Sequence, residues 1–129
     1  MNDPEVTMHT SLDGTSFIAH EKALEAAGIA LALVTRVPAP LRSLADQVVR
    51  AASSVPANLS EGSGRVGRDR LNLWRIAYGS AREVDTFLRL LVNAKAIDRA
   101  RALRALRLFD EVRAMTWRLV HPEQSRRRR

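Results

Sequence analysis

Along this chain of 129 residues, apolar side chains recur at three- and four-residue steps in four long stretches. That is the spacing of helices that each bury one face. The first stretch runs from about Ser16 to Thr35, with Phe17, Leu24, Ala27, Leu31 and Val34 in its stripe, and Val37-Pro38-Ala39-Pro40 ends it. Pro40 suits the first turn of a second helix, whose apolar face is Leu41, Leu44, Val48, Ala51, Ala52, Val55 and Leu59. Gly62 and Gly64 are expected to supply its stop and a turn. A third helix is predicted over Arg68 to Ala94, with Leu71, Trp74, Ala77, Tyr78, Ala81, Val84, Leu88 and Leu91 inward. After a break at Lys95 to Asp98, a fourth runs from Arg99 to Val120 on Ala102, Leu106, Phe109, Val112 and Leu119, and His121-Pro122 closes it. Four amphipathic helices with short connections predict an all-α, up-and-down antiparallel four-helix bundle over residues 16–121. Residues 1–15, polar and without a period, read as a disordered lead-in, and residues 122–129 as a basic C-terminal tail.

Composition narrows the function classes. Ala, Leu and Arg dominate, and cysteine is absent, so neither a disulfide framework nor a thiolate metal site is available. Asp3 and Glu5 stand where a signal peptide needs basic residues, and no uncharged stretch is longer than Ala26 to Thr35, which is too short to span a bilayer. A cytoplasmic protein without a membrane role is the expectation. The net charge of +7 is unevenly placed: residues 1–35 carry −4, residues 36–118 carry +8 and residues 119–129 carry +3. Nineteen of the 21 basic residues are arginine, whose planar fork suits phosphate and carboxylate. A GC-rich genome also yields an arginine-rich, lysine-poor chain, so the field is a pointer to an anionic partner rather than its demonstration.

Small and polar residues interrupt the second and third stripes at matching depth. They are Ser53-Ser54-Val55-Pro56-Ala57-Asn58-Leu59-Ser60-Glu61-Gly62-Ser63-Gly64-Arg65 and Arg75-Ile76-Ala77-Tyr78-Gly79-Ser80-Ala81-Arg82-Glu83. Pro56 removes a backbone donor and is expected to kink or restart its helix, with Ser53, Ser54 and Asn58 near enough to pair with freed groups. Antiparallel packing would bring Asn58, Ser60, Glu61 and Arg65 level with Ser80 and Glu83, as a polar clasp between the two helices. Two carboxylates also suit acid–base catalysis, but no histidine, nucleophile or base accompanies them. The structural assignment of Asn58, Glu61, Ser80 and Glu83 is therefore preferred, with no catalytic residue named.

Two further features bear on partners. Gly62-Ser63-Gly64-Arg65-Val66-Gly67-Arg68-Asp69-Arg70 precedes a helix start, where backbone donors and the helix dipole favour phosphate. A plain helix cap with solvated arginines fits the same residues equally well, and no Walker or dinucleotide motif is present. Arg68, Arg75, Arg82 and Arg89 recur every seven residues, a step that drifts only about 20° per repeat, so they form one ladder along the third helix. Asp85 is in reach of Arg89 and Arg82, whereas Arg68 and Arg75 have no acid at helical offsets. Arg101, Arg104 and Arg107 add a second basic face. With Arg65, the ladder and Arg104 make the candidate phosphate contacts for RNA or DNA; a solvated face or interhelical salt bridges is the competing explanation. His9, His20 and His121 lie near the ends, and the Glu and Glu-x-x-His pairs of a di-iron bundle are missing, so neither metal nor cofactor is assigned.

Arg50-Ala51-Ala52-Ser53-Ser54-Val55-Pro56-Ala57-Asn58-Leu59-Ser60-Glu61-Gly62-x-Gly64-Arg65 and Ile76-Ala77-x-Gly79-Ser80-x-Arg82-Glu83 resemble, in order, the paired signatures of a bacterial four-helix bundle family. That family includes the proteins encoded in intervening sequences of large-subunit ribosomal RNA genes, and its superfamily contains Avd, the accessory protein of diversity-generating retroelements. The resemblance covers about residues 16 to 120. It departs at the start of the first helix, where Phe17 stands nearly alone instead of among aromatic residues. It implies a non-enzymatic bundle assembling into a ring, commonly a homopentamer, with a basic surface or channel. For Avd-like relatives it implies binding to nucleic acid and to a reverse transcriptase.

Overall fold

The computed structural model describes residues 14–123. The rest of the expected lead-in and tail, with His9 and Arg126 to Arg129, lies outside the described residues. Four helices carry the fold: α1 (Thr15–Leu33), α2 (Arg42–Ser63), α3 (Gly67–Asn93) and α4 (Arg99–Val120), with one 3-10 turn at Ala39–Leu41. Among the described residues there is no strand. The helices pack in cyclic order, α1 on α2, α2 on α3, α3 on α4 and α4 back on α1, while the diagonal pairs scarcely touch. This is the expected up-and-down four-helix bundle.

Local chemistry explains the boundaries. The α3–α4 break closes as a Schellman motif: the Lys95 N–H donates to the Val92 carbonyl and the Ala96 N–H to the Leu91 carbonyl, each at 2.9 Å. Lys95 takes the left-handed conformation, φ 58°, that glycine more often supplies there. The Asp98 carboxylate then caps α4 by accepting from the Arg101 N–H at 2.8 Å. At the other connection Gly64 ends α2 with an ordinary φ of −87°, and the left-handed residue is Gly67, φ 61°, at the start of α3.

Pro56 does not restart its helix; α2 runs through it from Arg42 to Ser63. The neighbouring polar side chains bond elsewhere than to the Ala52 carbonyl that a proline at 56 leaves without its N–H partner. Ser53 Oγ donates to the Val49 carbonyl at 2.6 Å, and Asn58 Nδ2 to the Ser54 carbonyl at 2.9 Å.

Inside the bundle, α2, α3 and α4 bury the stripes their spacing predicts. Val48, Val55 and Leu59 meet Trp74, Val84, Leu88 and Leu91, and Phe109 and Val112 close the fourth side. Helix α1 follows its predicted stripe only in part: Ala27 and Val34 are buried, Leu31 is half-buried, and Phe17 and Leu24 are not inside. Its inward face is Ser16, Ala19, Ala23, Ala26, Ala27 and Ala30, joined at the end by Leu33 and Val34. Phe17 and Leu24, expected inside, are 47% and 48% exposed. The reason is that α1 is apolar on both faces, so periodicity cannot choose between them. Close packing against α2 and α4 selects the side with small residues and leaves the larger ones outside.

Candidate functional site

The arginine ladder lies on the outer face of α3, opposite the side that buries Trp74, Ala77, Ala81, Val84 and Leu88. Arg68, Arg75, Arg82 and Arg89 are all exposed and span roughly 30 Å of helix axis at 1.5 Å per residue. Arg89 Nε donates to Asp85 Oδ1 at 2.8 Å. That hydrogen bond, and secondly the charge of Asp85, raises the Arg89 pKa above its already high ordinary value. Asp85 is thus committed to Arg89 rather than to Arg82. Among the described residues Arg68, Arg75 and Arg82 meet no carboxylate.

The other two candidates sit apart from this face. Arg65, at the end of α2, pairs with Glu61 one turn back at 2.9 Å. Arg104 reaches across from α4 to Glu25 of α1 at 2.6 Å. Both pairs are exposed on both partners, and such pairs contribute only about 0–1 kcal/mol, so neither ties its arginine down firmly. On the second basic face, the Arg101 and Arg107 guanidinium groups are exposed without a carboxylate among the described residues.

The expected polar clasp divides. Ser80 Oγ donates to Ser54 Oγ at 2.8 Å across the α2–α3 seam, and Asn58 Nδ2 donates to the same oxygen at 2.9 Å. Ser54 is the hub: of the residues expected in the clasp Asn58 and Ser80 join it, and Ser54, expected instead to pair with backbone groups freed by Pro56, is identified by its place one turn before Asn58. Glu61 and Glu83 do not join. Glu61 turns to Arg65 in solvent, and Glu83 is exposed with no partner among the described residues. The physical reason is burial: hydroxyl and amide groups satisfy one another in a half-buried seam, whereas a carboxylate there would need a cation. A cavity of about 200 Å³ lies elsewhere, at the α1–α2 corner, and neither glutamate lines it. Among the described residues no three His, Asp or Glu side chains gather as a metal site needs.

A second contact between α2 and α3 was not foreseen from the sequence. Trp74 is 2% exposed and lies over Gly62, where an added Cβ would stand 2.5 Å from Trp74 Cδ1 and Nε1. Trp74 Nε1 donates to the Leu59 carbonyl at 3.3 Å. Arg70 sits 5.3 Å above the indole centroid and donates to the Gly62 and Ser63 carbonyls, at 3.1 and 3.2 Å. Arg70 therefore neutralises the last carbonyls of α2 and is unavailable as a further rung. Gly62 serves a close approach rather than the stop expected of it. At the turn between α2 and α3, Asp69 stands in the first turn of α3, where its carboxylate competes with an anion for the positive end of the helix.

No helix among the described residues is long and apolar enough to cross a membrane. Among solved structures the fold is similar to a protein of unknown function from the S23 ribosomal protein family of Bacteroides thetaiotaomicron. The two chains are 22% identical and superpose with a TM-score of 0.74 over 83% of this chain and 98% of that one. No curated protein matches the chain. Residues 17–118, which contain the ladder, the Ser54 seam and the Gly62–Trp74 contact, match the 23S rRNA-intervening sequence protein family, and the chain belongs to that family.

Proposed function

We propose that this protein is a non-enzymatic, homo-oligomeric basic bundle of the cytoplasm that binds RNA or DNA through phosphate contacts along α3. The observation that carries the proposal is the run of Arg68, Arg75 and Arg82 on one exposed face with no carboxylate to neutralise it. Guanidinium groups about 10 Å apart along a rigid helix can each take a phosphate without the helix changing shape. Trp74 is buried, which removes the aromatic best placed for stacking, so backbone contact without base readout is the mode proposed. The family's tie to the 23S rRNA gene makes RNA the first polymer to test. Resemblance to Avd-like adaptors adds two finer elements: assembly as a ring, commonly of five copies, and a reverse transcriptase as protein partner.

Affinity for RNA and for DNA, measured at several salt concentrations, is the test. Binding should weaken as salt rises. The double variant Arg75→Glu/Arg82→Glu should lower the slope of log affinity against log salt by roughly two while keeping its helicity. No binding at low salt, or an unchanged slope in the variant, rejects the assignment to α3.

The alternative is a protein-interaction bundle with no nucleic-acid role. It is favoured by a different observation, the large apolar side chains on the outside of α1.

A further inference from the structure

We infer that Arg75, Tyr78, Gly79 and Arg82 form the seat for one phosphodiester of a bound nucleic acid, a contact that rests on the phosphate-binding reading above and makes the rungs of the ladder unequal.

These residues stand at the i, i+3, i+4 and i+7 positions of α3, a diamond whose neighbouring corners are about 5–6 Å apart. Arginines hold the two ends, and neither meets a carboxylate among the described residues. At one side corner Tyr78 is half-buried, and its hydroxyl has no hydrogen-bond partner among the described residues. At the other, Gly79 lies on the side of α3 away from the core with an ordinary helical backbone, and a Cβ there would meet nothing within 4 Å. Gly62 is a glycine because Trp74 fills its space, but nothing inside the chain asks for one at 79, and glycine is a poorer helix former than alanine. The close approach of another molecule to the helix backbone does ask for it. The flanking sets lack this combination. Arg68 and Arg75 enclose Leu71, which cannot donate, and Asn72, whose side chain occupies the outer corner. Arg82 and Arg89 enclose Asp85, already held by Arg89 at 2.8 Å, and Thr86, whose Oγ1 donates to the Arg82 carbonyl at 3.4 Å.

The chemistry of the diamond selects the ligand. A phosphate over Gly79 has oxygens enough to accept from both guanidinium forks and from the phenol at once, and the missing side chain lets it come close to them. Glu83, one turn beyond Gly79 on the flank away from Tyr78, is exposed and unpaired among the described residues, so it confines an anion to the arginine side. A second copy of the chain is a poorer occupant. Its ladder carries the same charge, and the carboxylates of the four helices left unpaired among the described residues, Glu21, Asp46, Asp69 and Glu83, are spread over three of them.

The test is the affinity of the full-length protein for an oligouridylate and for a DNA oligothymidylate of equal length, read at several salt concentrations beside the melting temperature and mass of the free protein. Tyr78→Phe removes one hydroxyl and no charge, and should weaken binding about tenfold. Gly79→Leu fills the open corner and should weaken binding about tenfold or more. Both variants should keep the salt slope of the unaltered protein, because neither removes a cation. Gly79→Leu should also raise the melting temperature, since leucine is the better helix former and the position is open. Thr86→Leu, in the neighbouring set, should leave the affinity unchanged. Failure of the unaltered chain to bind either polymer overturns this inference together with the phosphate reading. Binding that depends on Arg75 and Arg82 but is indifferent to Tyr78→Phe or to Gly79→Leu overturns the seat alone, and so does an equal loss from Thr86→Leu. A Gly79→Leu protein that loses affinity together with a smaller assembly or a lower melting temperature also overturns it, by making position 79 a packing site.

Discussion

Helices α1 and α3 occupy opposite corners of the bundle and solve the same packing problem in opposite ways. Helix α3 places Trp74, Leu88 and Leu91 inside and arginines outside, so its two faces differ sharply in polarity. Helix α1 places alanines inside and Phe17, Ile18 and Leu24 outside. The contrast shows that the interior of a bundle selects on size as well as on polarity. A helix that must lie close to both neighbours turns its small residues inward, even when larger apolar ones are available. It also separates two kinds of surface: α3 presents charge, and α1 presents apolar area.

Size should therefore act with opposite sign on the two helices. Removing volume from α3 is expected to have the largest effect. Trp74→Ala takes away a buried indole together with its bond to the Leu59 carbonyl, and should destabilise the fold by about 3–5 kcal/mol in chemical unfolding. Adding volume to α1 comes next. Ala26→Leu puts a larger side chain where alanine is fully buried, and should lower stability by about 1–3 kcal/mol by the same measurement. A stable Ala26→Leu protein would show that α1 has slack against its neighbours, and the comparison would break. The smallest effect belongs to polarity on the inner side of α3. Ser80→Ala removes one donor from the Ser54 oxygen, which still accepts from Asn58, and should reduce stability by about 0.5–1.5 kcal/mol.

The same contrast explains which parts of the fold were legible in the sequence. In α2, α3 and α4 the apolar residues keep to one side, so spacing alone located both the helices and their buried faces. In α1 the presence of a helix was readable but its facing was not, because Phe17, Leu24 and Leu31 form as regular a stripe as Ala19, Ala23, Ala26 and Ala30. Choosing between them needs the distance to α2 and α4, which no single helix encodes. The connections were placed by proline, glycine and charge, yet the working residues differed: Lys95 and Gly67 took the left-handed positions, and Gly64 did not.

At the candidate site, seven-residue spacing found the ladder, and helical offsets found the Asp85–Arg89 pair. The clasp was legible as a place but not as a membership. Depth along two helices says which residues are level, and only the angle around each axis says which of them face inward. Ser54 and Ser80 face the seam, and Glu83 does not. Arg70 was hidden because, although Trp74 is one turn on in the same helix, the Gly62 and Ser63 carbonyls belong to the end of α2 and are brought to it only by the turn between the helices.

Gly62 and Trp74 have a consequence for how such a sequence can vary. The space that a side chain at 62 would need is the space the indole fills, so the two positions divide one fixed volume. A residue larger than glycine at 62 is compatible only with something smaller than tryptophan at 74, and either change made alone leaves a clash or a void. Twelve positions apart in the chain, they behave as a single inherited character.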